Sequence, residues 1–491
     1  MSSRTFWRVL AALLLALPAS AELNERQLKS LDGITRDRFS ARWADLDTNQ
    51  LTALHRRADA YLAQLRDRHL VGGLVASIRY ADTNRAPVVR YEGLEDSAAW
   101  TGLALATHAY RYAVTRDSRS LADIRALLSG IELLLNANDR SGYLPRFAGR
   151  ADDAAYAKFY ATYGGADAAR PGLGKLAFAG SGTNSGLVWL GGPSRDQYAA
   201  LNLGFVTVWQ LVRNDAKIRE RVAAAATLLL DRLQTDGWRL DDGQGQVTFI
   251  TPALGTALLR TGATVRPDRF TKPYEQRARG FLELPAPGVV RYGDSRPGLF
   301  SALNLLALSR LETNQSRRLH YQDQLTQLWR GSSPQLNPLL AACYLGGFDR
   351  TPGDATALAT LHGVLSQFPD PPRWSAARDH SAAPAIPVLT LGGARWAQFA
   401  QPLDRRPVAP FQWTQSAYLL AGGEDAPVAH PGVDFLLAFW MGRDASVIPG
   451  EDAVPSASAL SPAARRAART NAPGGRTNLP AATIRPSRPR P

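Results

Sequence analysis

Cysteine is almost absent: Cys343 is the only one in 491 residues. An intramolecular disulfide and a Cys-based metal cluster are therefore excluded. Cys343 lies in the run Leu339-Leu340-Ala341-Ala342-Cys343-Tyr344-Leu345 and reads as a small buried apolar residue. Histidine is scarce too, with seven in the chain and no His-x-His or His-Glu-x-x-His spacing among them. No zinc site is expected, and His108 reads as a packed or capping residue. Gly180-Ser181-Gly182 lacks the Gly-x-Ser-x-Gly elbow of a serine hydrolase. Arg170-Pro171-Gly172-Leu173-Gly174-Lys175 lacks the first Gly and the Ser/Thr of a phosphate loop. No metal or organic cofactor is implied, and no apolar stretch approaches the ~20 residues of a membrane helix.

Acidic residues are missing from one region in particular. After Val454 there is none, while Arg465, Arg466, Arg469, Arg476, Arg485, Arg488 and Arg490 all lie there. Arg4 and Arg8 add two more positives at the N-terminus, and taking these nine from the net charge of +14 leaves +5 for the body. The charge excess therefore belongs to the ends, and no nucleic-acid partner is expected. Arg4 and Arg8 precede the apolar run from Val9 to Leu17, followed by Pro18-Ala19-Ser20-Ala21. This is the layout of a secretory signal peptide over residues 1–21, so the expected location is periplasmic or secreted. A folded domain is expected over 22–452. Residues 453–491, rich in Arg, Pro and Ala and without an aromatic ring, are expected to be a disordered tail. Weak contact of that tail with anionic envelope components stands beside the plainer reading of a tolerated terminus.

Helical periodicity fills the body. The apolar spacing predicts helices over Leu51–Leu70, Ser97–Thr115, Arg119–Asn136, Ser194–Val212, Lys217–Leu233, Pro252–Arg260, Tyr274–Leu282, Pro297–Leu311, Arg317–Arg330, Gln335–Leu345, Thr356–Phe368 and Val433–Gly442. Links such as Thr115-Arg116-Asp117-Ser118 and Arg213-Asn214-Asp215 are short, which argues for helical hairpins. Strand-like pieces fall between hairpins, at Leu74–Tyr80 with Val88–Tyr91, at Val188–Leu190, and at Trp238–Leu240 with Val247–Ile250. A strand before each helix is missing, which rules out a doubly wound sheet or a β/α barrel. No sequence repeat recurs at a fixed period. The expected fold is mainly α: an α/α toroid of about six hairpins, acting as a monomer, with short β-hairpins in the connections. The Gly-rich stretch from Tyr163 to Gly186 reads as a loop at the cavity edge or a mobile flap rather than a nucleotide site.

Two helix starts combine acids, aromatic rings and glycine: Tyr91-Glu92-Gly93-Leu94-Glu95-Asp96-Ser97-Ala98-Ala99-Trp100-Thr101-Gly102 and Trp189-Leu190-Gly191-Gly192-Pro193-Ser194-Arg195-Asp196-Gln197-Tyr198. Asp96 and Trp100 are four apart and share a helix face. A carboxylate beside a ring at a cavity mouth suits a sugar, with the ring packing on its apolar face. Two readings of each acid stand: a cap that favours the helix dipole, or a functional acid. Ser194 with Gln197 also fits a capping box.

These two starts resemble the six-hairpin glycosidase-like proteins, and distantly the unsaturated glucuronyl hydrolases. Arg195 and Gln197 match the family's Trp-x-Arg-Gly-Gln-x-Trp helix start and Gly204-Phe205 the Gly-Phe that follows it, while Asp196 replaces its Gly and Ala199 its second Trp. The resemblance implies a secreted or periplasmic α/α toroid that hydrolyses or otherwise cleaves a glycan, an acidic one in particular. Asp96 and Asp196 are then the acid/base candidates. Glu95, Trp100, Trp189, Arg195, Gln197, Tyr198 and Trp413 are the substrate-binding candidates, and Gln412–Ser416 is a candidate cavity lid. The alternative is a non-catalytic envelope protein that binds a glycan or a partner in the same cavity.

Overall fold

The computed structural model describes residues 48–152, 176–241, 247–284, 292–348, 354–383, 386–391 and 393–450. The signal-peptide and tail readings, and residues 163–175 of the Gly-rich stretch, lie outside these residues. The described residues up to Ile448 form one unit. Twelve α-helices are described: α1 Thr48–Gln64, α2 Ser97–Thr115, α3 Ser118–Leu135, α4 Arg195–Leu211, α5 Ala216–Thr235 and α6 Pro252–Val265. They continue as α7 Pro267–Leu282, α8 Arg296–Leu311, α9 Gln315–Ser332, α10 Pro338–Gly346, α11 Ala355–Ser366 and α12 Val433–Asp444. Every helix expected from the periodicity is present.

The even-numbered helices close a ring. α2 packs on α4, α4 on α6 and α8, α6 on α8, α8 on α10, α10 on α12, and α12 returns to α2. The odd-numbered helices lie outside it, with α3 on α2, α5 on α4 and α6, α7 on α6, α9 on α8 and α10, and α11 on α10 and α12. The sixth hairpin joins the two ends of the domain, because α1 packs against α12. The protein is an α/α toroid of six hairpins.

Composition sorts the helices between the layers. In α12 every residue from Val433 to Gly442 is buried, and α2 is buried continuously from Ser97 to Tyr110. In the outer α7 only Phe270, Tyr274, Ala278 and Phe281 are buried, four apart at most. A helix apolar on all sides belongs inside, and one with a single apolar stripe belongs outside. The contact between α2 and α4 is closest at glycine. A Cβ at Gly102 would stand 2.6 Å from Leu201 Cα, and one at Gly204 would stand 2.6 Å from the Gly102 carbonyl oxygen.

Antiparallel strands fill the connections that lead into the inner helices. Residues 373–375, 426–430, 77–80 and 88–92 form a four-stranded sheet in that order. Residues 147–150, 187–190 and 177–179 form a three-stranded one. Links from an inner helix to its outer partner are short, a single residue (Arg266) between α6 and α7, whereas the chain spends residues 136–194 and 367–432 reaching α4 and α12. The described strands of these connections thus lead into the ends at which the inner helices begin.

Candidate active site

The first helix start is shaped by Gly93. Its φ of 68° turns the chain out of strand 88–92 into a 3-10 turn, Leu94–Asp96, that runs directly into α2. A Cβ at Gly93 would also lie 2.7 Å from the Trp100 ring, so a side chain is excluded there on two grounds. Asp96 occupies the N-cap position of α2, yet its carboxylate makes no capping hydrogen bond. The second start follows strand 187–190 through Gly191, Gly192 (φ 69°) and Pro193 into α4. Here the capping work falls to Gln197, whose Oε1 accepts from the Ser194 N–H at 3.0 Å. Asp196, second residue of α4, is left for other use.

Asp96 and Asp196 line one pocket with Ala99, Trp100, Arg296, Phe300, Ala409, Pro410, Phe411, Thr414 and Gln415. The cavity measures about 50 Å³, room for a few water-sized groups at the ~10–15 Å³ each requires. Burial pushes the Asp196 carboxyl up from 3.8 to about 6. The Arg296 guanidinium opposes that rise, while the negative charges of Asp96 and Asp294 reinforce it. Burial wins because taking a carboxylate out of water costs more than two exposed cations, Arg296 and the weaker-acting Arg195, return. Asp96 is half-buried and has the Arg146 guanidinium 3.6 Å away.

Arg146 joins the two starts. It is 9% exposed, and its Nη1 donates to the Glu95 carbonyl at 2.6 Å while its Nε donates to the Gly192 carbonyl. Its own N–H donates to the Leu190 carbonyl at 2.8 Å, and its carbonyl accepts from the Ala98 N–H at 2.9 Å. Gln197 makes a second cross-link, with Nε2 donating to the Glu95 carbonyl at 3.1 Å.

The wall formed by residues 409–415 is fixed from beneath by a buried ion pair. Arg373 Nη1 donates to Asp434 Oδ2 at 2.5 Å, with side-chain exposures of 3% and 0%. The Gln412 N–H donates to the same carboxylate oxygen at 2.8 Å, and Arg373 reaches the Gln412 side-chain oxygen. An unpaired buried carboxylate would be costly, and here both partners and the loop backbone satisfy it.

Of the residues singled out in the sequence, Asp96, Asp196 and Trp100 come together in the pocket, and six do not. Trp413 is 1% exposed and donates from Nε1 to the Asp434 carbonyl at 2.7 Å, so it anchors the wall from inside and offers no stacking face. Its neighbours Phe411, Thr414 and Gln415 do line the pocket, so the segment forms part of the wall. Tyr198 is buried in the core at 2% exposure. Arg195 is exposed and absent from the pocket lining, where Arg296 supplies the cation instead. Gln197 is fully buried and serves as cap and cross-link. Glu95 contributes its carbonyl to that cross-link and is not a lining residue. Trp189 is half-buried outside the pocket, stacked on Phe178 with ring centroids 4.5 Å apart. His108 packs 3.3 Å from Asp123 in the core, its pKa pushed down to about 4 by burial.

Arg146, Arg296, Phe300 and Phe411 carry no local signature. The one available signal is spacing, since Arg296 and Phe300 stand four apart at a helix start, as Asp96 and Trp100 do.

No family model matches this chain, and no curated protein matches it in sequence. Among solved structures it is matched to the α-1,6-mannanase GH76A of Salegentibacter sp. HEL1_6. An inactive variant of that enzyme in complex with α-1,6-mannotriose is 11% identical, over 58% of this chain and 87% of that one, with a TM-score of 0.25. The enzyme's own structure is 12% identical over the same shares, again with a TM-score of 0.25. A likeness of this size carries no argument about substrate or catalytic residues, and the toroid assignment stands on the closed ring of helix contacts.

Proposed function

We propose that the chain is an exported, carbohydrate-active enzyme that hydrolyses a glycosidic bond with two carboxyl groups. The observation that carries this reading is the meeting of Asp96 and Asp196, from two separate helix starts, in one pocket walled by Trp100, Phe300 and Phe411. Neither acid has a cap to make, and the two have different surroundings. Asp196 is half-buried and its carboxyl is pushed up to about 6, so it keeps its proton well above the pH at which a free aspartate loses it and suits a general acid. Asp96 sits beside a guanidinium and suits the ionised partner. Asp196 gives its proton to the glycosidic oxygen as the bond from that oxygen to the anomeric carbon breaks. Asp96 then either draws a proton from the attacking water or adds to the anomeric carbon before water does. The apolar walls take the C–H face of the sugar. Arg296 is the cation placed for a sugar carboxylate, which favours a uronate-containing glycan.

The test is a panel of uronate-containing and neutral polysaccharides, scored by release of reducing ends and, in parallel, by binding. The reading predicts cleavage of at least one glycan, and its loss in folded Asp96→Asn and Asp196→Asn proteins. Binding without cleavage, or cleavage that survives both substitutions, would turn the account towards a glycan-binding role or another site.

A further inference from the structure

The two acids are supplied by separate helices, and their spacing is only as good as the connection between the helix starts. That connection runs through Arg146, at the entry to strand 147–150 in the three-stranded sheet. Its bonds divide evenly. The Nη1 bond to the Glu95 carbonyl and the carbonyl bond from Ala98 N–H grip the residues on either side of Asp96. The Nε bond to the Gly192 carbonyl and the N–H bond to the Leu190 carbonyl grip the turn that leads into Asp196.

We propose that Arg146 is a positioning residue for the acid pair: it clamps both helix starts at once, sets the separation of Asp96 and Asp196, and places its charge on the Asp96 side. This rests on the reading of the two acids as a working pair. Three observations support it. A buried guanidinium costs several kcal/mol unless its surroundings compensate, and apolar packing would serve a merely structural junction as well. The acids whose charges act on Arg146 are Asp96, then Glu95, then Asp196, the acids of the two helix starts. The planar fork also donates in fixed directions to carbonyls on different segments while keeping its full charge across the whole working pH range. Gln197 supplies an independent link from α4 to the Glu95 carbonyl. The helix starts therefore remain tethered without Arg146, but with freedom to shift.

The experiment uses the full chain labelled with 13C at the aspartate carboxyl carbons. The Asp196 resonance is identified as the one lost in Asp196→Asn, and its titration midpoint is followed without any sugar. In the parent protein Asp96→Asn lowers that midpoint, because a like charge is removed. In Arg146→Lys and Arg146→Gln backgrounds the same Asp96→Asn change should lower it by less than half as much. Lys keeps the charge and loses the fork, so a reduced effect there assigns the role to geometry. A role confined to holding the fold would lower thermal stability and leave the Asp96 effect at its parental size. An equal or larger Asp96 effect in the Lys variant overturns the proposal, as does a parent in which Asp96→Asn leaves Asp196 unmoved. Failure of both Arg146 variants to fold overturns it too, since Arg146 would then be a fold determinant. No substrate enters this measurement. A protein that cleaves no glycan yet shows the loss of coupling contradicts the hydrolase reading alone.

Discussion

Asp196→Asn should change stability in a pH-dependent way whose size follows from its burial. The folded carboxyl titrates near 6, against the ordinary 3.8 that the unfolded chain retains. Well below pH 3.8 Asp196 is protonated in both states, and the parent suffers no penalty. As pH rises from 3.8 the unfolded chain ionises while the folded carboxyl keeps its proton, so stability is lost until the folded group also ionises through about 6, where the loss levels off. At about 1.4 kcal/mol per pH unit, the full penalty is about 3 kcal/mol, reached above pH ~7. Asparagine fills the same space without a titration. The difference in unfolding free energy between Asp196→Asn and parent should therefore move by about 2–3 kcal/mol in favour of the variant between pH 4 and pH 8. Urea denaturation followed by circular dichroism at five or six pH values reads it directly. A difference that stays constant with pH, or moves in favour of the parent, would show that Asp196 is not held protonated by burial, and the assignment of the general acid would go with it.

Other expectations follow from the same contacts. Arg296→Met removes the main charge that pulls Asp196 down, so the midpoint in that pH series should shift above 6; a downward shift contradicts the pocket electrostatics. Gly102→Ala would gain up to ~1 kcal/mol from helix propensity in an open helix, but its methyl meets the Leu201 backbone at 2.6 Å. A net loss of about 1–3 kcal/mol is expected in thermal or urea unfolding. Arg373→Met leaves the Asp434 carboxylate buried without its cation, at a cost of about 3–5 kcal/mol. The double change Arg373→Met with Asp434→Leu should recover part of that loss in the same assay.

Much of the fold was legible because apolar periodicity separates two kinds of helix. All-round apolar segments such as Val433–Gly442 lie inside the ring, and single-stripe segments such as Tyr274–Leu282 lie outside. Several of the strands that escaped notice pair with partners farther away in sequence. Arg373–Ser375 joins Ala426–His430, and Arg378–Asp379 joins Ala421–Gly422, in runs too short to show alternation. In the site, the shared face of Asp96 and Trp100 followed from the i, i+4 rule, and Asp196 was singled out by the similar make-up of the second helix start. Tyr198 was misplaced against the same geometry: two residues beyond Asp196 it lies about 200° around the helix, on the opposite face, and it packs in the core. Arg195, one residue earlier, is turned about 100° the other way and faces outward. Trp413 had no helix to fix its direction, and its indole N–H found the Asp434 carbonyl below the wall. Arg146 was invisible because its role depends on bringing together residues near 95 and near 192.

The central claim is that Asp196 protonates a leaving group. It is tested most directly by comparing Asp196→Asn with the parent on two substrates that present the same sugar, an oligosaccharide that the parent cleaves and its 2,4-dinitrophenyl glycoside. The oligosaccharide leaves as a poor alkoxide and requires the acid, so its kcat should fall about 10²–10⁴-fold. The dinitrophenolate leaves unaided, and its release should fall far less. Equal losses on both substrates, or unchanged cleavage of the oligosaccharide, would contradict the claim.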